Sequence, residues 1–210
     1  MPAGLILLSF VPAAVGSARF VQLTGGADVT ATTAHYLSSW VPLILHIVSG
    51  MCFSVLGALQ FSSALRRRRR AWHRVTGRLL VPLGLIAALS ALWMTWLSAP
   101  STGAGALLYG LRMVFGSVMV TGLVLGFLAI RRGQIRRHRA WMTRAYAIGV
   151  GAGTQVLTIG FGQALFGKSE LSHALLSGAA WVINLAVAEW SISRHGARSR
   201  RAAVRVADLR

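Results

Sequence analysis

The sequence predicts an all-α, polytopic transmembrane helix bundle of about six spans, and three observations carry that prediction. Of 210 residues, 55% are hydrophobic and 12% charged, with a mean hydropathy of +0.61, which leaves too little polar side chain to coat a soluble globule. The apolar residues are gathered into six stretches near the length that crosses a bilayer as a helix, because a rise of about 1.5 Å per residue must cover about 30 Å of hydrocarbon. The arginines fall at alternate ends of those stretches, so one face of a six-span bundle collects nearly all of them.

In chain order the stretches are Leu5–Leu23, Trp40–Leu65, Leu79–Leu97, Leu107–Ile130, Trp141–Phe166 and Ala174–Ser193. Residues 1–193 therefore read as the transmembrane domain, and 194–210 as a basic tail that is solvated and mobile. The first stretch has Gly16 and Ala18, small residues of the kind a leader cleavage site uses. Met1–Gly4 lacks the positive charge that opens a secretory signal, so a span is the preferred reading.

Four acids against 22 Lys plus Arg give a net charge of +18 and a pI near 12.0. Arg66–Arg70, Arg74 and Arg78 lie between spans two and three. Arg131, Arg132, Arg136, Arg137, Arg139 and Arg144 lie between or just inside spans four and five, and Arg194, Arg198, Arg200, Arg201, Arg205 and Arg210 lie in the tail. Six spans put all of these on one side, whereas five or seven would divide them. Short loops that retain arginine stay cytoplasmic, so both termini are expected on the cytoplasmic side. The opposite side receives Asp28, Lys168 and Glu170, with Arg19 and Arg112 near helix ends where a long side chain can snorkel. Trp40, Trp93 and Trp96 at outer ends, and Trp72, Trp141, Tyr146 and Trp190 at inner ends, read as aromatic belts.

The run Arg66–Arg70 begins where a span ends, so topology or anionic phospholipid headgroups explain it better than nucleic acid, and no nucleic-acid partner is expected. The lone cysteine, Cys52, excludes an intramolecular disulfide and a thiolate metal cluster, and reads as a buried packing thiol. No Ser-His-Asp constellation, HExxH, Walker loop or GxGxxG is present, which disfavours a soluble-type enzyme site.

Spans two and three resemble spans four and five. Leu45-His46-Ile47-Val48-Ser49-Gly50 aligns with Leu111-Arg112-Met113-Val114-Phe115-Gly116, and each segment runs into an arginine cluster. Each cluster then yields a His-Arg pair at the start of the next helix, His73-Arg74 with Arg78 and His138-Arg139 with Arg144, the second spacing one residue longer. Such a pattern is what a parallel duplication of a helical hairpin leaves in a sequence.

The motifs His73-Arg74-Val75-Thr76-Gly77-Arg78 and His138-Arg139-Ala140-Trp141-Met142-Thr143-Arg144-Ala145-Tyr146 resemble those of bacterial membrane proteins grouped as domain of unknown function twenty-three hundred and six. The resemblance runs from Trp40 to about Ser193, with Leu80 standing where an aromatic residue is expected. It implies a multi-pass fold in the bacterial cytoplasmic membrane and implies no activity.

Polar residues inside spans are costly and so become the candidate functional groups. Counted from the cytoplasmic ends, His46, Arg112, Gln163 and His173 share an outer level roughly 28 to 31 Å away. Gln60, His73, Arg78, His138, Arg144 and Glu189 share an inner level, with Gln155, Thr158 and Asn184 between. Two readings follow. A bis-histidine haem b electron-transfer protein would use His46 with His173 beside Arg112, and His73 with His138 beside Arg78 and Arg144, since two neutral imidazoles ligate the iron and cations sit near the propionates. That reading implies a membrane redox partner. The alternative is a transporter, or a protein binding anionic lipid or a small molecule, that uses Gln60, Gln155, Thr158, Asn184 and Glu189 without haem. The pairs Gly122-x-x-x-Gly126 and Gly149-x-x-x-Gly153 predict close helix packing, within the chain or between copies in a homo-oligomer.

Overall fold

The structure is a computed structural model that describes Leu8, Ala14 and residues 40–97 and 104–207. Every regular element among the described residues is helical: α1 (Trp40–Gln60), α2 (Ser63–Arg68), α3 (Arg70–Leu97), α4 (Ala104–Arg131), α5 (Ile135–Gly149), α6 (Gly151–Phe166) and α7 (Glu170–Ala207). By length and composition Trp40–Gln60, Arg70–Leu97, Gly105–Arg131 and Glu170–Arg194 can each cross a membrane. The first expected span, Leu5–Leu23, lies outside the described residues apart from Leu8 and Ala14.

The ends of the helices follow local chemistry. The Ser62 hydroxyl caps α2 by accepting the Leu65 N–H at 3.3 Å. Helix α4 stops in a Schellman turn. Gly133 takes φ 69°, its N–H donates to Ile130 O at 3.0 Å, and Gln134 N–H donates to Ala129 O at 2.9 Å. Before α7, Ser169 and Ser172 exchange backbone N–H to Oγ bonds, both 3.0 Å, a reciprocal cap of the first turn.

Consecutive helices pack as antiparallel neighbours, α1 on α3, α3 on α4, α4 on α5 and α6 on α7, and α7 returns to lie on α4 and α5. The C-terminal ends of α1 and α4, the N-terminal ends of α3 and α5, and the Arg194 turn of α7 therefore meet at one end of the bundle. The apolar core is built from α1, α3, α4 and α5: Phe53 and Ala58, Leu80 and Ala88, Met119 and Leu123, and Ala145, Tyr146 and Ile148.

Four features depart from the sequence-based expectations. Tyr146 is not in an interfacial belt but is 5% exposed in the core. Its hydroxyl donates to Ser54 O at 2.8 Å, its ring packs on Phe53 and Phe61, and it occupies the room left by Gly57, whose missing Cβ would strike the ring. Cys52 is exposed rather than buried, because Phe53 takes the inward position on that turn of α1. The basic tail continues α7 as helix to Ala207, as its content of arginine and alanine, both strong helix formers, favours. The expected span Trp141–Phe166 is two helices, broken at Val150 (φ −84°, ψ 4°) between Gly149 and Gly151.

Candidate functional site

At the arginine-rich end, the two His-Arg motifs open α3 and α5. Gln60, the last residue of α1, reaches the first turns of α3. Its Nε2 donates to Thr76 Oγ1 and, at 3.4 Å, to His73 O, while Thr76 Oγ1 donates to Trp72 O at 2.7 Å. In the second hairpin His138 Nδ1 bonds to Gly126 O at 2.8 Å. A carbonyl only accepts, so Nδ1 carries a proton and donates it. Gln60 follows His46 by the interval at which Gly126 follows Arg112, so both proposed repeats close at the same register position with different chemistry. In the second hairpin Gly122 and Gly126 let α5 approach closely: a Cβ on Gly122 would lie 3.3 Å from Ala145 Cβ, and one on Gly126 2.8 Å from Met142 Sδ.

Arg144 and Glu189 meet as a two-pronged ion pair between α5 and α7. Nε donates to Oε1 at 2.5 Å and Nη2 donates to Oε2 at 2.9 Å. The Arg144 guanidinium also lies 5.1 Å from the Trp141 ring centre. Arg194 stacks on Trp190 at 3.9 Å and Arg131 lies over Phe127 at 6.0 Å. Aromatic rings one turn earlier thus hold three guanidiniums at this end. Arg67–Arg70, Arg74, Arg78, Arg132, Arg136, Arg137 and Arg139 are exposed.

Toward the other end, His46 Nδ1 donates to Ala87 O of α3 at 2.8 Å, while Arg112 is exposed on α4. His173 is half-buried in the first turn of α7, where its carbonyl accepts the Ser177 hydroxyl at 2.7 Å. Neither proposed histidine pair is carried by packed helices. Helix α1 packs on α2, α3 and α5 and α7 on α4, α5 and α6, and no extended contact joins α1 to α7 or α3 to α5. Among the described residues no group of three or more His, Cys, Asp or Glu is placed to hold a metal ion.

Between the two ends the polar residues join helices to one another. Thr158 Oγ1 donates to Leu176 O at 3.0 Å and Gln155 Nε2 to Ser177 O at 3.4 Å, tying α6 to α7. Asn184 on α7 accepts from Thr154 Oγ1 at 2.9 Å and donates through Nδ2 to Ala147 O at 3.0 Å. Ala147 belongs to the last turn of α5, where carbonyls lose their helical partners, so Asn184 satisfies a group that the break at Val150 would otherwise leave without one. Sequence reasoning named Asn184 but missed Thr154 and the break. The signal available for both was glycine at 149, 151 and 153 with a threonine directly after.

No curated protein and no solved structure matches this chain. A family model described as a predicted membrane protein, DUF2306, matches residues 43–192. That interval contains both His-Arg helix starts, the Arg144–Glu189 pair and the break at Val150, and it is most of the chain. The protein therefore belongs to the DUF2306 family of multi-pass membrane proteins.

Proposed function

We propose that the arginine-rich end is a binding face for anionic phospholipid headgroups, lying on the cytoplasmic side of a bacterial inner membrane with both termini on that side. One observation carries the reading. The exposed arginines of α2, α3, α4 and α5 converge on one end, and among the described residues the only carboxylate there, Glu189, is engaged by Arg144. Each basic side chain near an anionic leaflet contributes about 1 kcal/mol, so such a cluster recruits acidic headgroups from a mixed bilayer. The guanidiniums of Arg131 and Arg194 lie over the rings of Phe127 and Trp190, a pairing that offers apolar bodies to acyl chains and charged heads to phosphates.

Native mass spectrometry of protein released from bilayers of mixed phosphatidylglycerol and phosphatidylcholine tests this. The wild type should retain phosphatidylglycerol preferentially. The double variant Arg74→Ala/Arg78→Ala should lose that retention several-fold, and Arg112→Ala, at the other end, should keep it. Equal retention of the two lipids by the wild type would end the proposal. A carboxy-terminal green fluorescent protein fusion tests orientation, since it fluoresces only when the tail stays in the cytoplasm.

Haem b bound by histidines is the second reading, and one observation favours it: His46 and His138 each donate Nδ1–H to a backbone carbonyl, the arrangement that orients an imidazole and leaves Nε2 for iron. It ranks second because the paired histidines stand on helices that do not pack together. A Soret band in the purified protein, lost on His46→Ala or His138→Ala, would reverse the ranking. Protein that stays colourless after addition of haemin would remove the reading. A transport site at Gln155, Thr158 and Asn184 has the least support, because these side chains spend polar atoms on neighbouring helices.

A further inference from the structure

We infer that Val150 is a hinge on which α6 tilts against α5, and that Asn184 is the clamp that sets its angle. The segment Gly149-Val150-Gly151-Ala152-Gly153 places three glycines in five residues, each about 1 kcal/mol less favourable in a helix than alanine. The helix yields there: Gly153 N–H donates to Val150 O at 3.1 Å, a three-residue step, and regular α geometry ends at Gly149 and restarts at Gly151.

The two sides of the break belong to different surroundings. Gly149 abuts Phe53 of α1 and Met119 of α4, so α5 is seated in the core. Gly151 abuts the Trp181 ring of α7, and the polar groups of α6 at Thr154, Gln155 and Thr158 all bond to α7. Among the described residues little holds the outer half of α6 toward the body: Phe161, Leu165 and Phe166 are 73%, 79% and 76% exposed, and a Cβ on Gly160 would meet nothing within 4 Å. Leu8 lies against Gly153 and against the core, and Asn184 bridges the break by hydrogen bonds. Asn184 grips α5 through Ala147 O and α6 through Thr154, so both halves are referred to a single point on α7. Helices in membranes bend at such sites when a neighbouring side chain takes over the freed backbone group. Removing that side chain frees the angle.

The test measures distances between nitroxide labels in bilayer discs, on full-length protein carrying Cys52→Ser. One pair, Trp93→Cys with Leu165→Cys, spans α3 and the outer end of α6. A second, Trp93→Cys with Leu175→Cys, spans α3 and α7. Leu165 stands about 22 Å along the helix from Val150, so a tilt of roughly 15° moves it about 6 Å. Asn184→Leu should shift or broaden the first distribution by about that much and leave the second as in the wild type. Thr154→Val, which cuts only the α6 side of the clamp, should act in the same direction with a smaller shift, and it carries the test if Asn184→Leu does not insert. Superimposable distributions for wild type and Thr154→Val would overturn the hinge. Equal broadening of both label pairs would overturn it too, since that marks general loosening.

Discussion

The α1–α5 body and the α6–α7 pair are held together by different balances of steric fit and hydrogen bonding, and the difference bears on where a hinge can work. The body is joined by shape. Phe53 fills notches at Gly84 and Gly149, Tyr146 fills the notch at Gly57, and α5 lies against Gly122 and Gly126 of α4. Lipid tails are as apolar as leucine, so burial alone gives little reason for helices to associate in a membrane, and close van der Waals fit must supply it. The α6–α7 pair has two such notches, Gly151 under the Trp181 ring and Gly162 under Leu176, and adds side chains that bond to the neighbouring helix, at Thr154, Gln155, Thr158 and Asn184. Hydrogen bonds of this kind average about 0.6 kcal/mol in membranes. The body meets in many such notches on four helices, while the α6–α7 seam rests on two of them and on a few weak, directional bonds, so it readjusts more readily.

The contrast can be broken most severely at Phe53. Phe53→Ala empties a site shared by α1, α3, α4 and α5 and should cost about 3 kcal/mol or more, read as a large fall in the thermal midpoint of the detergent-purified protein. Gly57→Val presses a side chain into the Tyr146 ring and should cost about 1 to 3 kcal/mol in the same assay. If either variant were as stable as the wild type, the body would not be held by fit. Thr158→Val removes one bond between α6 and α7 and should cost about 0.6 kcal/mol, a loss seen as faster proteolysis near α6. The smallest effect belongs to Glu189→Gln. The pair is partly exposed, with side-chain exposures of 29% for Arg144 and 52% for Glu189, so its loss should cost under about 1 kcal/mol and the loss should shrink further in high salt. A large, salt-independent destabilisation would mean that this end of the α5–α7 seam is as tightly fixed as the core.

The legible parts of the sequence were those written in length and periodicity. Apolar runs marked the helices, and arginine clusters marked their shared end. His73 and His138 were correctly seen as equivalent helix starts, and Gly122-x-x-x-Gly126 as a close contact. Less visible were features that depend on which neighbour a side chain meets. Tyr146 has the composition of a belt residue and becomes core because α1 presents Gly57 to it. Cys52 sits in an apolar run and still faces outward, because in a membrane an apolar run reports crossing and says nothing about which side faces protein. Depth along the helix grouped His46 with His173 and His73 with His138, but depth is one coordinate, and the helices of neither pair pack directly on one another.

By itself, then, the sequence determined that this chain is a helical membrane protein of the DUF2306 type with its positive charge collected at one end, because hydrocarbon thickness and charge desolvation act on each segment independently of its neighbours. Only the tertiary structure decided that the expected fifth span is broken at Val150, that Glu189 takes Arg144 and not Arg194 as its partner, and that Asn184 bridges the break. These depend on α7 returning to α5 and α6. A hydrogen bond exists only where two helices bring donor and acceptor within about 3 Å, a condition that no single segment can state.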